Sequence, residues 1–115
     1  MTNSSFNYVR TFRKRHALSK FELAFLIGQR SDSAVHWFER GDRKPTLEAA
    51  LALQILFSQV PHQLFPGLYE AVEERVMRRA AQMLRDLEGR RDRKSEAKRE
   101  LLERLPQPGA NDIEL

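Results

Sequence analysis

The sequence predicts an all-α protein, and three observations support this prediction. Apolar residues recur at three- and four-residue spacing along most of the chain, as they do on one side of an α-helix. Ser19, Ser31 and Thr46 each precede such a stretch, where a hydroxyl side chain can cap a helix N-terminus. Gly28 and Gly41 each follow one, where glycine accepts the left-handed conformation that ends helices.

Composition and charge indicate one domain with an appendage and a polyanionic partner. The 115 residues, 41% of them hydrophobic and 31% charged, suffice for one compact core but not for two. Residues 1–66 hold nine Lys or Arg against five Asp or Glu, whereas residues 67–115 hold eleven of each. The net charge of +4 therefore originates in the first part of the chain, which favours a partner such as DNA. The alternative is a solvated basic face.

Several kinds of protein do not fit the sequence. Cysteine is absent, which excludes disulfides, thiolate zinc sites and cysteine nucleophiles. No apolar run approaches the roughly 20 residues that span a bilayer, and the first ten residues lack a signal-peptide core. We therefore expect a cytoplasmic protein that binds no membrane.

A basic first helix is predicted over residues 7–16, and a second helix begins after Ser19. Ser19 and Glu22 have the spacing of a capping box, in which each side chain accepts a hydrogen bond from the other residue's backbone N–H. Gly28 ends this second helix. Its buried side is predicted to consist of Leu23, Ala24 and Ile27.

The third predicted helix follows Ser31 and ends near Arg40, and its two faces differ. At 100° per residue, Val35 and Phe38 point to the core. The opposite side carries Ser33, His36, Trp37 and Arg40. An outward tryptophan on a polar face indicates a contact surface; the alternative places Trp37 in the core and Phe38 outside.

The rest of the first domain is predicted to be a fourth helix and a short closing segment. Thr46 caps a helix over residues 47–57, which is rich in Ala and Leu and is therefore expected to be mostly buried. Leu64 and Phe65 close the core after Pro61. Pro66 and Gly67 are expected to break the chain.

Residues 67–105 predict a charged amphipathic extension. Near Gly89 the apolar pattern lapses and then resumes about a quarter turn away, which indicates either a kink in one long helix or two helices. Residues 106–115, with two prolines, are expected to form a flexible tail. The apolar stripe is predicted to bind a second copy or another protein, although it could instead fold back on the domain. Its members are Leu68, Val72, Val76, Ala80, Met83, Leu84 and Leu87.

No pattern supports catalysis, so we expect a protein that is not an enzyme and needs no cofactor or metal. His16, His36 and His62 lack metal-ligand spacing, and the chain has no phosphate-binding glycine loop and no G-x-S-x-G elbow. Acidic pairs such as Glu73 and Glu74 fit a solvated helix face.

Residues 8–65 resemble the Cro/lambda-repressor-type helix-turn-helix domain of the xenobiotic-response-element family. The cues occur in the family's order: Arg13, Ser19, Leu23, Ala24, Gly28, Glu39, Arg40, Gly41, Pro45, Leu64 and Phe65. The resemblance implies a five-helix DNA-binding domain over residues 1–66 that acts in a bacterial or phage transcriptional regulator. It most simply implies a repressor that binds double-stranded DNA as a homodimer, with the third helix in the major groove.

The resemblance also implies roles for individual side chains. Base contacts are expected from Asp32, Ser33, His36 and Trp37. For Asp32 we favour the alternative that it only stabilises the first turn of its helix. Phosphate contacts are expected from Lys20, Gln29, Arg30, Arg40, Arg43 and Lys44. Arg13 and Glu39 are expected to form a structural ion pair.

The chain departs from the family pattern at three places, and other functions stay open. Lys20 stands where glutamine is common, the turn after Gly28 is one residue longer, and His36 and Trp37 replace smaller or amide side chains. The base preference therefore does not transfer. The alternatives are an antitoxin-type regulator whose C-terminal helices bind a protein, and a protein-interaction module with Trp37 as its anchor.

Overall fold

The computed structural model describes residues 5–105, and all the regular secondary structure in this range is helical, which confirms the all-α class. Its helices are α1 (Val9–Arg15), α2 (Lys20–Leu26), α3 (Asp32–Arg40), α4 (Leu47–Phe57), α5 (Pro61–Leu64), α6 (Pro66–Asp86) and α7 (Arg93–Glu103). The chain divides into two compact units, one up to Ala71 and one from Val72 onward.

The core of the first unit is built from all of α1 to α5. Each of these helices contributes at least one fully or almost fully buried apolar side chain, and burying such a side chain contributes about 1.5–3 kcal/mol. The largest fully buried side chains are Leu23, Leu53, Leu64, Val9 and Val35. Phe12 and Leu68 pack against this core from its edge, and the rings of Phe12 and Phe57 lie 5.7 Å apart.

The helix ends of the first unit largely follow the predicted caps. The capping box of α2 is present: Glu22 N–H donates to Ser19 Oγ at 3.0 Å, and Ser19 N–H donates to Glu22 Oε1 at 2.8 Å. Thr46 Oγ1 accepts from Ala49 N–H at 3.1 Å at the start of α4. Ser31 occupies the predicted cap position of α3, but its side chain makes no capping hydrogen bond.

The prediction that the fourth helix is mostly buried is wrong. Ala49, Leu53 and Phe57 face the core, whereas Leu47 and Ile55 are 74% and 81% exposed. The sequence is apolar on every side of this helix, so periodicity could not separate a buried face from an exposed one. The core of a small unit covers one side only.

The C-terminal extension forms two helices rather than one kinked helix. Pro66 does not break the chain but is the first residue of α6, a position that suits proline because its missing N–H is not required there. Gly89, at φ 80°, lies in the turn between α6 and α7. Asp92 caps α7 by accepting from the backbone N–H and the hydroxyl of Ser95, at 3.1 and 2.7 Å.

The apolar stripe predicted as one partner surface is divided by the fold. Leu68 packs against the core of the first unit, Ala80 and Leu87 are buried, and Leu84 is half-buried. The exposed members are Val72, Val76 and Met83. The predicted tail at residues 106–115 lies outside the described residues. Within residues 5–105, no helix has the length and apolar character needed to cross a membrane.

Candidate nucleic-acid interface

Helix α3 has the orientation that its sequence predicts. Val35 and Phe38 are buried, with 0% and 3% of their surface exposed, whereas Trp37 is 36% exposed. The alternative with Trp37 inside and Phe38 outside is therefore wrong. Ser33 and Arg40 are exposed on the outer side and His36 is half-buried, so the outer face of α3 carries the four polar and aromatic residues expected there.

A buried ion pair joins α1 to the end of α3. Arg13 Nε donates to Glu39 Oε2 at 2.5 Å and Arg13 Nη2 donates to Glu39 Oε1 at 3.2 Å. A third donor, Nη1 of Arg13, binds the carbonyl of Leu18 at 2.9 Å. The expected pairing of Arg13 and Glu39 is thus present, with both side chains at least nine-tenths buried. A bidentate pair of this kind fixes geometry, since two parallel bonds define an orientation as well as a distance.

The C-terminal end of α3 is held by residues that the sequence did not indicate. Asn7 Nδ2 donates to the carbonyl of Phe38 at 2.9 Å, while Asn7 Oδ1 accepts from Val9 N–H at 3.1 Å. Gly41 adopts φ 79°, and a Cβ at this position would lie 2.1 Å from Cβ of Ser5. An asparagine just before the first helix indicates a local capping role for Asn7. Its hydrogen bond to Phe38, 31 positions away, could not be predicted from the sequence.

Lys20 and His36 lie together on the outer side of α2 and α3. Lys20 Nζ is 3.1 Å from His36 Nδ1. The ammonium group has no acceptor capacity, so it is the donor and the imidazole nitrogen is the acceptor. Lys20, which is expected to bind phosphate, is thus hydrogen-bonded to His36, which is expected to contact a base.

Trp37 and Arg43 form the second such pair. The guanidinium carbon of Arg43 lies 4.1 Å from the centre of the Trp37 ring, which is within the range of a cation–π interaction. The backbone is tied at the same place, because the N–H groups of Asp42 and Arg43 both donate to the carbonyl of Trp37, at 2.9 and 3.3 Å.

Most of the remaining predicted contact residues are exposed. Arg30 and Lys44 are exposed, as are Asp32 and Ser33 in the first turn of α3. Arg40 Nε lies 3.1 Å from Asp42 Oδ2 in an exposed ion pair. Gln29 is half-buried.

The predicted contact residues carry more cations than acids, which favours a positive local potential. Their five cationic side chains are Lys20, Arg30, Arg40, Arg43 and Lys44, against the carboxylate of Asp32 and that of Asp42, which pairs with Arg40. A positive surface that also presents hydrogen-bond donors suits a polyanion that carries hydrogen-bond acceptors better than it suits a small neutral ligand.

The described residues were also compared with the requirements of a metal site. Among residues 5–105, no three His, Asp or Glu side chains come close enough together to hold a metal ion. Comparison of the chain with protein-family models, with curated proteins and with solved structures finds no significant match to any of them.

Proposed function

We propose that this protein is a sequence-specific DNA-binding transcriptional regulator whose first unit has the Cro/lambda-repressor-type arrangement. The supporting observation is the outer face of α3, which combines exposed polar side chains with a basic border while its apolar side is fixed in the core. The Arg13–Glu39 pair fits the same arrangement, because the family resemblance implies an ion pair at these positions.

In this proposal α3 enters the major groove, which is about 12 Å wide and admits one helix. Ser33 and His36 face the base edges. Lys20, Arg30 and Lys44 bind phosphates on either side and set the register of the helix. Asp32 stabilises the positive end of α3, as its place in the first turn supports.

The proposed regulator acts as a homodimer, most simply a repressor. Two copies of α3 placed about 34 Å apart reach two half-sites on one side of the duplex. Val72, Val76 and Met83 on α6 remain exposed and supply apolar surface for a partner, which can be the second copy.

Selection of bound sequences from a random duplex library tests the proposal. The full chain should enrich one motif, arranged as an inverted repeat when the protein dimerises. Arg30→Ala should weaken binding to that motif several-fold, whereas Arg78→Ala should leave it unchanged, because Arg78 is paired with Glu74 on α6. Failure to enrich any sequence would contradict the proposed function.

A second candidate function is a protein-interaction module, and the exposed aromatic residues of α2 favour it. Phe21 and Phe25 are 70% and 78% exposed, one helical turn apart. Large apolar side chains grouped at the surface are typical of protein-binding sites. Binding to random duplex separates the two candidates, since a DNA-binding protein must show a steep salt dependence and a pure protein-binding module need not.

A further inference from the structure

We propose that the outer face of α3 selects guanine. Two of its aromatic side chains, His36 and Trp37, each contact a cationic side chain, and both contacts leave N–H groups available as hydrogen-bond donors. This inference rests on the proposed DNA-binding function and goes beyond it by naming the base. It also changes two expected roles: Arg43 becomes a base contact instead of a phosphate contact, and Trp37 becomes a positioning residue for Arg43 instead of a base contact.

The backbone and the side chain of Arg43 both contact Trp37. Its backbone N–H donates to the Trp37 carbonyl at 3.3 Å, and its guanidinium lies over the Trp37 ring at 4.1 Å. Gly41, at φ 79°, begins the intervening turn, and Ser5 leaves no room for a larger residue at this position. Arg43 is exposed, and its contact with the Trp37 ring favours one placement of its fork of N–H donors.

A held guanidinium matches one base better than the others. In the major groove, guanine presents two neighbouring acceptors, O6 and N7, which an arginine can bind with two parallel hydrogen bonds. Adenine pairs one acceptor with one donor there, and cytosine presents a donor. A phosphate needs only charge, which exposed Arg30 and Lys44 supply without being fixed.

The Lys20–His36 contact is compatible with guanine and disfavours cytosine. Since Lys20 can only donate, Nδ1 of His36 must carry a lone pair, and the proton of the neutral ring is on Nε2. His36 is thereby set as a donor at its other nitrogen. A single donor can bind N7 of either purine, O6 of guanine or O4 of thymine, and it opposes the amino group of cytosine. The choice of guanine among these bases therefore depends on Arg43.

The Trp37 ring is only partly available for the direct base contact expected of it. The Arg43 guanidinium covers part of it, and 36% of the residue remains exposed. Loss of the ring should therefore act mainly through Arg43. Removing Trp37 and removing Arg43 should weaken the same contact.

Base analogues in the selected duplex test the inference with the full chain. Guanine should be enriched at a fixed position of each half-site. Replacing that guanine with 7-deazaguanine removes the N7 acceptor and should lower affinity about tenfold, in line with the discrimination of a bidentate contact. Inosine at the same position is the matched control, because it keeps O6 and N7, and it should bind like guanine.

Variants separate a positioning role from a merely structural one. Trp37→Ala, Arg43→Ala and the double variant should lose the guanine preference to the same extent, so the two effects should not add. Arg43→Lys should lose the preference yet keep the salt dependence of binding, since charge survives but the fork does not. Arg30→Ala, the matched control, should weaken binding to all sequences and retain the preference. Thermal melting of each variant checks that it is folded.

The outcomes distinguish the inference from the function on which it rests. An enriched motif without guanine, or additive effects with the preference retained in Trp37→Ala, would overturn the inference while leaving DNA binding intact. Enrichment of no sequence at all would overturn the proposed function and the inference with it.

Discussion

Helices α3 and α6 both carry apolar residues at helical spacing, yet the fold uses the two patterns differently. In α3 the apolar side chains Ala34, Val35 and Phe38 are all buried in one core. In α6 the stripe is divided: Ala80 is buried whereas Val76 is 42% exposed. Spacing therefore determines which residues share a face, while the rest of the chain determines what covers that face.

The two helices also differ in how their C-terminal ends are held. The last carbonyls of α3 bind Asn7, and the last turn binds Arg13 through Glu39, so distant residues lock its orientation. Beyond α6, Arg99 Nη2 donates to the carbonyls of Leu87 and Arg90 at 2.9 and 2.8 Å. One helix is fixed by a deeply buried ion pair, and the other by a half-buried cation.

Breaking the buried pair should give the largest effect. Glu39→Ala leaves the Arg13 guanidinium buried without its carboxylate, and removing one partner of such a pair costs about 3 kcal/mol or more. Chemical denaturation should show this loss in the free energy of unfolding. Asp42→Ala is the matched control, because its pair with Arg40 is exposed, and it should change stability by less than about 0.5 kcal/mol. Equal effects of the two substitutions would contradict the account of α3.

The divided stripe of α6 predicts two different responses to the same kind of truncation. Leu87→Ala should cost about 2 kcal/mol because it leaves a cavity at a side chain only 4% exposed. Val76→Ala should change stability by less than about 0.5 kcal/mol but should weaken self-association, measured by sedimentation equilibrium. A stability loss at Val76 as large as that at Leu87 would show that the stripe is not divided in this way.

The glycines that follow the two helices should respond unequally to the same substitution. Gly41 after α3 and Gly89 after α6 both have φ near 80°, where alanine costs about 1 kcal/mol. Only at Gly41 would the new Cβ also meet another residue, Ser5. Gly41→Ala should therefore lower the midpoint of thermal unfolding more than Gly89→Ala does. Equal shifts would mean that Ser5 does not pack as described.

The smallest expected effect is a pH response at the start of α7. Hydrogen bonds from the side chain and backbone of Ser95 lower the pKa of Asp92 below its ordinary value of 3.8. The charged cap thus stabilises α7 above pH 3.8, and this contribution is lost as pH falls through the lowered pKa. Protection of the Ser95 amide against exchange, relative to its intrinsic rate at each pH, should fall in that range. Asp92→Asn keeps a capping acceptor without titrating, so an identical acid response in that variant would exclude Asp92 as the cause.

Local signals predicted most of the fold. The Ser19–Glu22 capping box, the glycine after α3 and the orientation of Val35 and Phe38 each depend on residues within a few positions of one another. The exposure of α4 could not be predicted in the same way, since its sequence is apolar on all sides. Which side meets the core depends on residues elsewhere in the chain.

In the candidate site too, local features could be predicted from the sequence and long-range contacts could not. Its residues on α3 follow from helix periodicity. Their pairing does not, because Lys20 and His36 are 16 positions apart and meet only when α2 packs on α3. The Arg43–Trp37 contact depends on the turn that Gly41 permits.

The salt dependence of duplex binding tests whether the outer face of α3 binds DNA. The association constant of the full chain for a random duplex should fall with salt on logarithmic axes, with a slope of about −0.9 for each phosphate neutralised. A variant carrying both Arg30→Ala and Lys44→Ala should have a slope shallower by about 2, because two exposed cations of the α3 face are removed. Binding without a salt slope, or an unchanged slope in this variant, would contradict the assignment of the α3 face as a DNA-binding surface.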